Sequence, residues 1–192
     1  MNRGEQLAVS GERAGSASLL LRRIVSIVLG AATVAIAAQV AVPLVGTPVP
    51  MTLQPLAVLV VGGVLGARLG AAALVLYLAL GALGLPVFTP GGLPGAARLI
   101  GPTGGYLLSY PVAAAIVGWL ASSSRPLRLL LASAAGMVLI HLGGSAQLAI
   151  LTGNAGAATR YGLVPFLTGD LLKVGIAALL ILALGPAVRR RT

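Results

Sequence analysis

Two ionisable side chains lie close together in an otherwise apolar segment near the C-terminus. Asp170 is the only carboxylate side chain after Glu12, and Lys173 is the only lysine. Three positions along a helix are about 300° of rotation, so both side chains fall within about 60° of each other on one face. Ionised groups at membrane depth are costly and usually mark a ligand or ion path. The pair therefore predicts a binding site. The alternative is an ion pair that only joins helices, although such pairs stabilise poorly.

Other residues with reactive side chains are few and poorly placed for catalysis. His141 and Ser145 are four positions apart and could share a proton on one helix face. Their GGSAQ surroundings lack the GxSG pattern of rhomboid-like proteases, which favours a histidine that only packs. The sequence has no cysteine, no His/Asp/Glu cluster suited to a metal and no P-loop motif. We therefore predict no enzyme, no metal site, no cofactor and no hydrolysis of ATP by this chain.

The composition is typical of a polytopic membrane protein. Hydrophobic residues make up 58% of the 192 residues and charged residues only 8%, with a mean hydropathy of +1.03. A soluble domain of this length needs a far more polar surface. The formal net charge of +10 does not indicate nucleic acid as a partner, because only 4% of residues are aromatic and most arginines flank apolar segments. Membrane topology explains the charge better.

The apolar segments predict an all-α polytopic fold with one membrane domain. Residues 1–18 are polar and mixed in charge, which predicts a short disordered cytoplasmic tail, with a signal peptide as the competing interpretation. Residues 19–192 then form the six-helix transmembrane domain. Its predicted helices cover residues 23–42, 56–67, 69–84, 104–121, 127–152 and 165–184. The second and third are shorter than the roughly 20 residues that a crossing needs, so we expect extension or kinking there.

The arginines predict the orientation in the membrane. Six crossings place both termini on one side, together with ten arginines: Arg3, Arg13, Arg22, Arg23, Arg68, Arg125, Arg128, Arg189, Arg190 and Arg191. Only Arg98 and Arg160 fall on the opposite side. Because basic residues concentrate in cytoplasmic segments, both termini are predicted to be cytoplasmic.

This orientation predicts a shallow chamber near the outer surface. The Pro- and Gly-rich stretches 43–55 and 85–103 lie outside, above Asp170 and Lys173 near the outer end of the last helix. A proton or sodium relay through the bilayer needs a series of carboxylates or histidines, and one aspartate does not supply it. The chain is thus predicted to bind a ligand without driving its passage.

Four motifs in series carry a family resemblance. They are VPMTLQP at 49–55, GLPVF at 84–88, GPTGGYL at 101–107 and PFLTGDLLK at 165–173. Together they resemble the BioY family, the biotin-specific S components of energy-coupling factor (ECF) transporters, over about residues 24–186. The resemblance implies a six-helix S-component fold in the cytoplasmic membrane, with a biotin pocket near the outer face. It carries over Asp170, Lys173 and Arg98 as polar ligand contacts and Gly104 and Tyr106 as pocket wall.

The same resemblance implies partners inside the membrane and the cell. S components dock on a transmembrane coupling subunit that works with ATP-binding cassette ATPases, through an alanine-rich face of the first helix. Here both Ala31/Ala35 and Ala37/Ala41 fit a small-xxx-small spacing, and the frame stays open. A different small vitamin, or transport by the chain alone, is the alternative function, and an intramembrane hydrolase is a distant third.

The chemistry of biotin suits these residues independently. Its ureido ring offers two N–H donors and one carbonyl acceptor, and its valeryl tail ends in a carboxylate. Asp170 can accept both N–H groups in a pocket of low dielectric, where charge-assisted hydrogen bonds are stronger. Lys173 or Arg98 can receive the ligand's carboxylate, and the sequence does not distinguish between them.

Overall fold

The structure, a computed structural model, describes residues 3–123 and 125–189, with side chains from residue 17 onward. Eight α-helices lie in this part of the chain: α1 (Arg3–Gln39), α2 (Gln54–Leu65), α3 (Ala67–Ala82), α4 (Ala97–Ile100), α5 (Gly104–Leu120), α6 (Pro126–Thr152), α7 (Ala155–Gly162) and α8 (Leu167–Arg189). A 3-10 turn, Val164–Phe166, leads into α8. Two short antiparallel strands, β1 (Ala41–Val42) and β2 (Met51–Thr52), pair Ala41 with Thr52 and Val42 with Met51.

Six of these helices are the apolar segments that the sequence predicts, and they confirm the all-α membrane fold. By length and composition, three segments can cross a bilayer: Ala17–Gln39, Pro126–Thr152 and Ala155–Arg189. The other three apolar helices, α2, α3 and α5, have 12, 16 and 17 residues. The chain turns between α2 and α3 at Gly66 alone, whose φ of 83° lies in the left-handed region that favours glycine.

Several boundaries differ from the sequence prediction. Helix α1 covers Arg3–Gln39, so residues 3–18, which belong to the predicted disordered tail, have helical backbone. The first proline of the chain is Pro43, and a helix that already exists propagates without the cost of a new nucleus. At its other end α1 stops at Gln39 instead of residue 42, because residues 41 and 42 pair with β2.

Two stretches predicted as loops contain short helices. Helix α4 lies within the stretch 85–103, and α7 occupies most of the stretch 153–163. The N-terminus of α7 is capped by Asn154, whose Oδ1 accepts a hydrogen bond from the Ala157 amide at 3.1 Å. Both helices lie between membrane helices at the same end of the molecule, where they position the residues described below.

Helix α2 is the centre of the packing. Eight of its twelve residues are buried, which is the pattern of a helix surrounded by others. A Cβ at Gly62 would collide with the backbone of Ala114, so α2 and α5 touch backbone to backbone at that point. Leu59 and Leu74 are fully buried on either side of the Gly66 turn and hold α2 and α3 in the core.

The other end of the molecule is held by arginines. The Nη1 atom of Arg189, at the end of α8, donates to the Ala121 carbonyl at 2.8 Å, and its Nη2 atom donates to the carbonyl of Gly63. Arg128, in the first turn of α6, donates from Nε to the Leu120 carbonyl at 2.8 Å. These contacts satisfy carbonyls at the C-terminal ends of α2 and α5, where a helix leaves them without partners.

The inward face of α1 includes alanines that were predicted to form its docking surface. Ala31 is only 2% exposed and belongs to the core, along with Val34. Ala35 and Ala37 are half-buried against the same core, and Ala41 lies in β1. Of the four alanines predicted to dock on the coupling subunit, Ala31 therefore packs within the chain, whereas Ala35, Ala37 and Ala41 remain partly exposed.

The exposed face of α1 is a stripe of larger apolar residues. It contains Val25, Leu29, Ala32 and Ile36, spaced by four, three and four residues, with Leu29 61% and Ile36 70% exposed. This spacing places the four side chains on one side of the helix.

Candidate ligand-binding site

The Asp170–Lys173 pair lies in the first turns of α8 and is buried. Lys173 donates from Nζ to Asp170 Oδ1 at 2.8 Å, as the spacing of three residues predicts. Asp170 is 5% and Lys173 6% exposed. The 3-10 turn Val164–Phe166 directly precedes α8.

The second carboxylate oxygen of Asp170 contacts a histidine from another helix. His141 Nε2, on α6, lies 2.6 Å from Asp170 Oδ2. An ionised carboxylate only accepts hydrogen bonds, so Nε2 carries the proton and donates. The prediction of a histidine that only packs was wrong. The one signal that could have identified it is that the sole histidine of the chain lies inside a membrane helix.

Aromatic rings hold the imidazole on two sides. The ring of Tyr106 meets that of His141 edge to face, with centroids 6.1 Å apart and planes at 85°. Phe166, from the 3-10 turn, lies with its ring centroid 6.3 Å from that of His141. The Tyr106 hydroxyl donates to the Gly162 carbonyl at 2.5 Å, which ties α5 to the end of α7. Tyr106 thus packs against His141 and lines the cavity described below.

Gly104 has a different place from the one predicted. It is buried, but a Cβ there would collide with the Leu99 backbone and the side chain of Gln147 rather than project into the cavity. The amide of Gln147 donates to the Leu99 and Gly101 carbonyls at 3.0 and 2.7 Å. Gly104 therefore allows α4 to pack against α5 and α6, and it is not part of the pocket wall.

A second polar network lies around Gln54. The Gln54 amide donates to the Tyr77 hydroxyl at 2.6 Å, and its oxygen accepts from Thr89 at 2.9 Å and from Thr52 at 3.2 Å. Arg98, on α4, donates from Nη2 to the Thr89 carbonyl. This network joins the start of α2 to the stretch before α4.

Arg98 has no ionic partner within the described part of the chain. It is 8% exposed, and its Nε is buried without a hydrogen-bond partner there. The only described carboxylate side chain, Asp170, pairs with Lys173 and His141 instead. Arginine is always charged, so a positive charge is buried here without a compensating anion.

Asp170, Lys173, His141 and Arg98 all line one cavity. The Pro- and Gly-rich stretches 43–55 and 85–103 both contribute to it, the first with Val49 and Pro50 among others and the second with Phe88 and Thr89. The remaining lining residues are Thr52, Gln54, Pro55, Thr103, Tyr106, Leu107, Tyr110, Ile140 and Phe166. The cavity has a volume of about 50 Å³, which is enough for only a few water molecules. A ligand larger than that requires the covering loops or the lining side chains to move.

Comparison with known proteins gives one family. The model of the BioY family matches residues 9–190. The chain is 37% identical over 165 residues to the biotin transporter BioY of Thermotoga maritima, covering 85% of this chain and 96% of that protein. It is also 37% identical over 154 residues to the probable biotin transporter BioY of Pyrococcus horikoshii, covering 80% and 90% of the two chains.

A solved structure shares the fold. The crystal structure of the S-component for biotin from an ECF-type ABC transporter superposes with a TM-score of 0.77, covering 96% of this chain and 94% of that one. The sequence identity is 23%, so this similarity concerns the fold.

Proposed function

Because the chain belongs to the BioY family, we propose that it captures biotin in the membrane as the substrate-binding subunit of an ECF-type uptake transporter. The observation that carries the proposal is one cavity lined both by a buried carboxylate and by a buried arginine that has no ionic partner in the described part of the chain. Biotin has complementary groups, a ureido ring with two N–H donors and a carboxylate at the end of its tail.

Asp170 is the acceptor for the ureido N–H groups. A carboxylate has about four lone-pair positions, and His141 and Lys173 occupy one on each oxygen. The remaining positions can accept the two ureido hydrogens. Hydrogen bonds to a charged acceptor in a dry site are the stronger kind, which suits a ligand that must be captured at low concentration.

Arg98 receives the biotin carboxylate. Lys173 already has Asp170 as its anionic partner at 2.8 Å, whereas Arg98 has only a backbone carbonyl and neutral neighbours in the described part of the chain. A ligand carboxylate would neutralise the buried charge and form charge-assisted hydrogen bonds with the guanidinium. These contacts favour Arg98 over Lys173 as the partner of the biotin carboxylate.

The proposed orientation puts both termini in the cytoplasm and the cavity near the outer surface. The arginines at the two ends of the molecule support it, since Arg128 and Arg189 lie at the end opposite the cavity-covering stretches. Arg98 and Arg160 belong to the end that carries the cavity.

Transport requires partners, because the chain has no P-loop motif to bind ATP. We assign this role to a transmembrane coupling subunit and its ATPases, and we assign the α1 stripe of Val25, Leu29, Ala32 and Ile36 as the docking face. Those side chains are exposed, whereas Ala31 is not. The chain itself is assigned no catalytic step.

Binding of radiolabelled biotin to the purified protein in detergent tests the proposal. We expect saturable binding by the wild-type chain that unlabelled biotin abolishes and that other water-soluble vitamins in equal excess leave intact. Arg98→Leu should weaken it, while Arg160→Leu, which removes an exposed arginine from the same end, should not. Wild-type protein that binds another vitamin and not biotin would overturn the proposal.

A further inference from the structure

We infer that His141 is a positioning residue for ligand binding, which fixes the Asp170 carboxylate across two helices so that its free lone pairs face the cavity. This inference rests on the proposed function. It assigns a role in recognition to a side chain that the family resemblance did not supply.

The two partners of Asp170 are not equivalent. Lys173 lies three residues away on α8 and moves with Asp170 when that helix moves. His141 lies on α6, and among the described residues it is the one side chain from another helix that binds this carboxylate. The position of the carboxylate relative to the rest of the cavity therefore depends on the Nε2–Oδ2 contact of 2.6 Å.

The imidazole is well placed to act as a fixed donor. Tyr106 and Phe166 pack on two sides of its ring, and the Tyr106 hydroxyl is itself held by the Gly162 carbonyl. His141 Nδ1 is buried and has no hydrogen-bond partner in the described part of the chain. The packing and the hydrogen bond to Asp170 therefore orient the ring. Among the described residues, that hydrogen bond is the only one that the ring nitrogens form.

His141 also borders a second depression. A second, apolar depression of about 510 Å³ lies between α6 and α8, and both His141 and Asp170 border it as well as the cavity. Leu142, Leu171 and Val174 line this depression, which is the environment of a lipid-facing surface. Without the imidazole, Asp170 Oδ2 would lose its donor on the side that faces lipid.

Substitutions that differ in their donors separate positioning from packing. In His141→Gln the side-chain amide can reach the place of Nε2 and donate to Asp170, whereas His141→Asn is one methylene too short and His141→Leu has no donor. We expect the biotin dissociation constant to rise about tenfold or more for the Leu and Asn variants, and less than about threefold for the Gln variant. Ser145→Ala, one turn further along α6, should leave it unchanged.

A double-mutant cycle supplies the second readout. In an Asp170→Asn background, His141→Leu should cost little further affinity, because the carboxylate that it positions is gone. Equal losses for the Leu, Asn and Gln variants, or a His141→Leu loss that adds fully to that of Asp170→Asn, would mean a packing role only and overturn the inference. Wild-type affinity in His141→Leu would overturn it too, while the proposed function would stand. Failure of the wild-type chain to bind biotin would instead remove the proposed function.

Discussion

Thr47 and Tyr161 join the loop after α1 to the end of α7. The Thr47 hydroxyl donates to the Tyr161 carbonyl at 2.7 Å, although the two residues are 114 positions apart. Thr47 belongs to the irregular stretch after α1 and Tyr161 to the end of α7. The same hydroxyl accepts from the Val49 amide at 3.1 Å, and Val49 lines the cavity. This contact ties the stretch that contains Val49 to the end of α7.

Loss of this contact should make ligand exchange faster. Thr47→Val keeps the shape of the side chain and removes the hydroxyl, so its hydrogen bonds to Tyr161 and Val49 are both lost. Only the bond to Tyr161 joins the loop to α7, and one such bond has a net worth of about 0.5–1.5 kcal/mol. We expect biotin to dissociate about two- to tenfold faster, measured as the exchange of bound radiolabel against unlabelled biotin. Thr159→Val removes a hydroxyl that bonds only within α7 and is the matched control. An unchanged rate in Thr47→Val would show that the loop opens elsewhere.

Asp170→Asn should cause a large loss of affinity. The substitution replaces a charged acceptor by an amide that turns a donor towards a donor, in the ureido site and towards Lys173 alike. The expected loss is about 2–4 kcal/mol, or at least about thirtyfold in the dissociation constant. Thr168→Val, on the exposed side of the same helix turn, should bind normally. Asn at position 170 with wild-type affinity would remove Asp170 from the ligand site.

Substitutions of Arg98 and Lys173 should differ in their effect on the binding of a ligand without a carboxylate. Biotin amide keeps the ureido ring and lacks the anion. Arg98→Leu should weaken the binding of biotin by about tenfold or more, since hydrogen bonds to charged groups contribute about 1.5–3 kcal/mol. It should change the binding of biotin amide little. Lys173→Leu should weaken both ligands, because it disturbs Asp170. If Lys173→Leu, and not Arg98→Leu, discriminates between the two ligands, the proposed assignment is reversed.

Orientation can be tested with single cysteines in this cysteine-free chain. Ser123→Cys should react with an impermeant maleimide only from the cytoplasmic side, and Leu93→Cys, at a residue 51% exposed, only from outside. Gly92 is unsuitable for the outer label, because a side chain there would collide with Arg98. Labelling of Leu93→Cys from the cytoplasm would contradict the proposed topology and would mean that the cavity faces the cytoplasm.

The spacing of residues along single helices predicted more of this structure than the pattern of helix faces did. The Asp170–Lys173 pair follows from three residues on one helix, and the six apolar segments follow from composition and proline positions. The His141–Asp170 contact joins residues 29 apart on separate helices, and nothing in either local segment specifies it.

The buried face of a membrane helix is equally hard to predict. After Arg23, helix α1 is largely apolar around its circumference, so no periodicity distinguishes its lipid side from its protein side. Only the packing against α2 and α3 determines that Ala31 turns inward and Ala32 outward. Gly104 shows the same limit, because its motif predicted the neighbourhood of the cavity and not the direction in which the residue faces.

Neighbouring alanines on α1 should therefore have opposite effects when replaced by tryptophan. Ala32→Trp adds bulk to the exposed stripe, so we expect biotin affinity in detergent within about threefold of wild type, a difference under roughly 0.7 kcal/mol. Uptake in cells that supply the coupling subunit and ATPases should fall sharply, as should co-purification with the coupling subunit, because close helix approach is blocked. Ala31→Trp forces a large ring into a core residue that is 2% exposed, which costs about 1–3 kcal/mol or more. It should lower the thermal stability and yield of the purified protein. Full uptake by Ala32→Trp would exclude this stripe as the docking face, and normal stability of Ala31→Trp would contradict the inward orientation of that alanine.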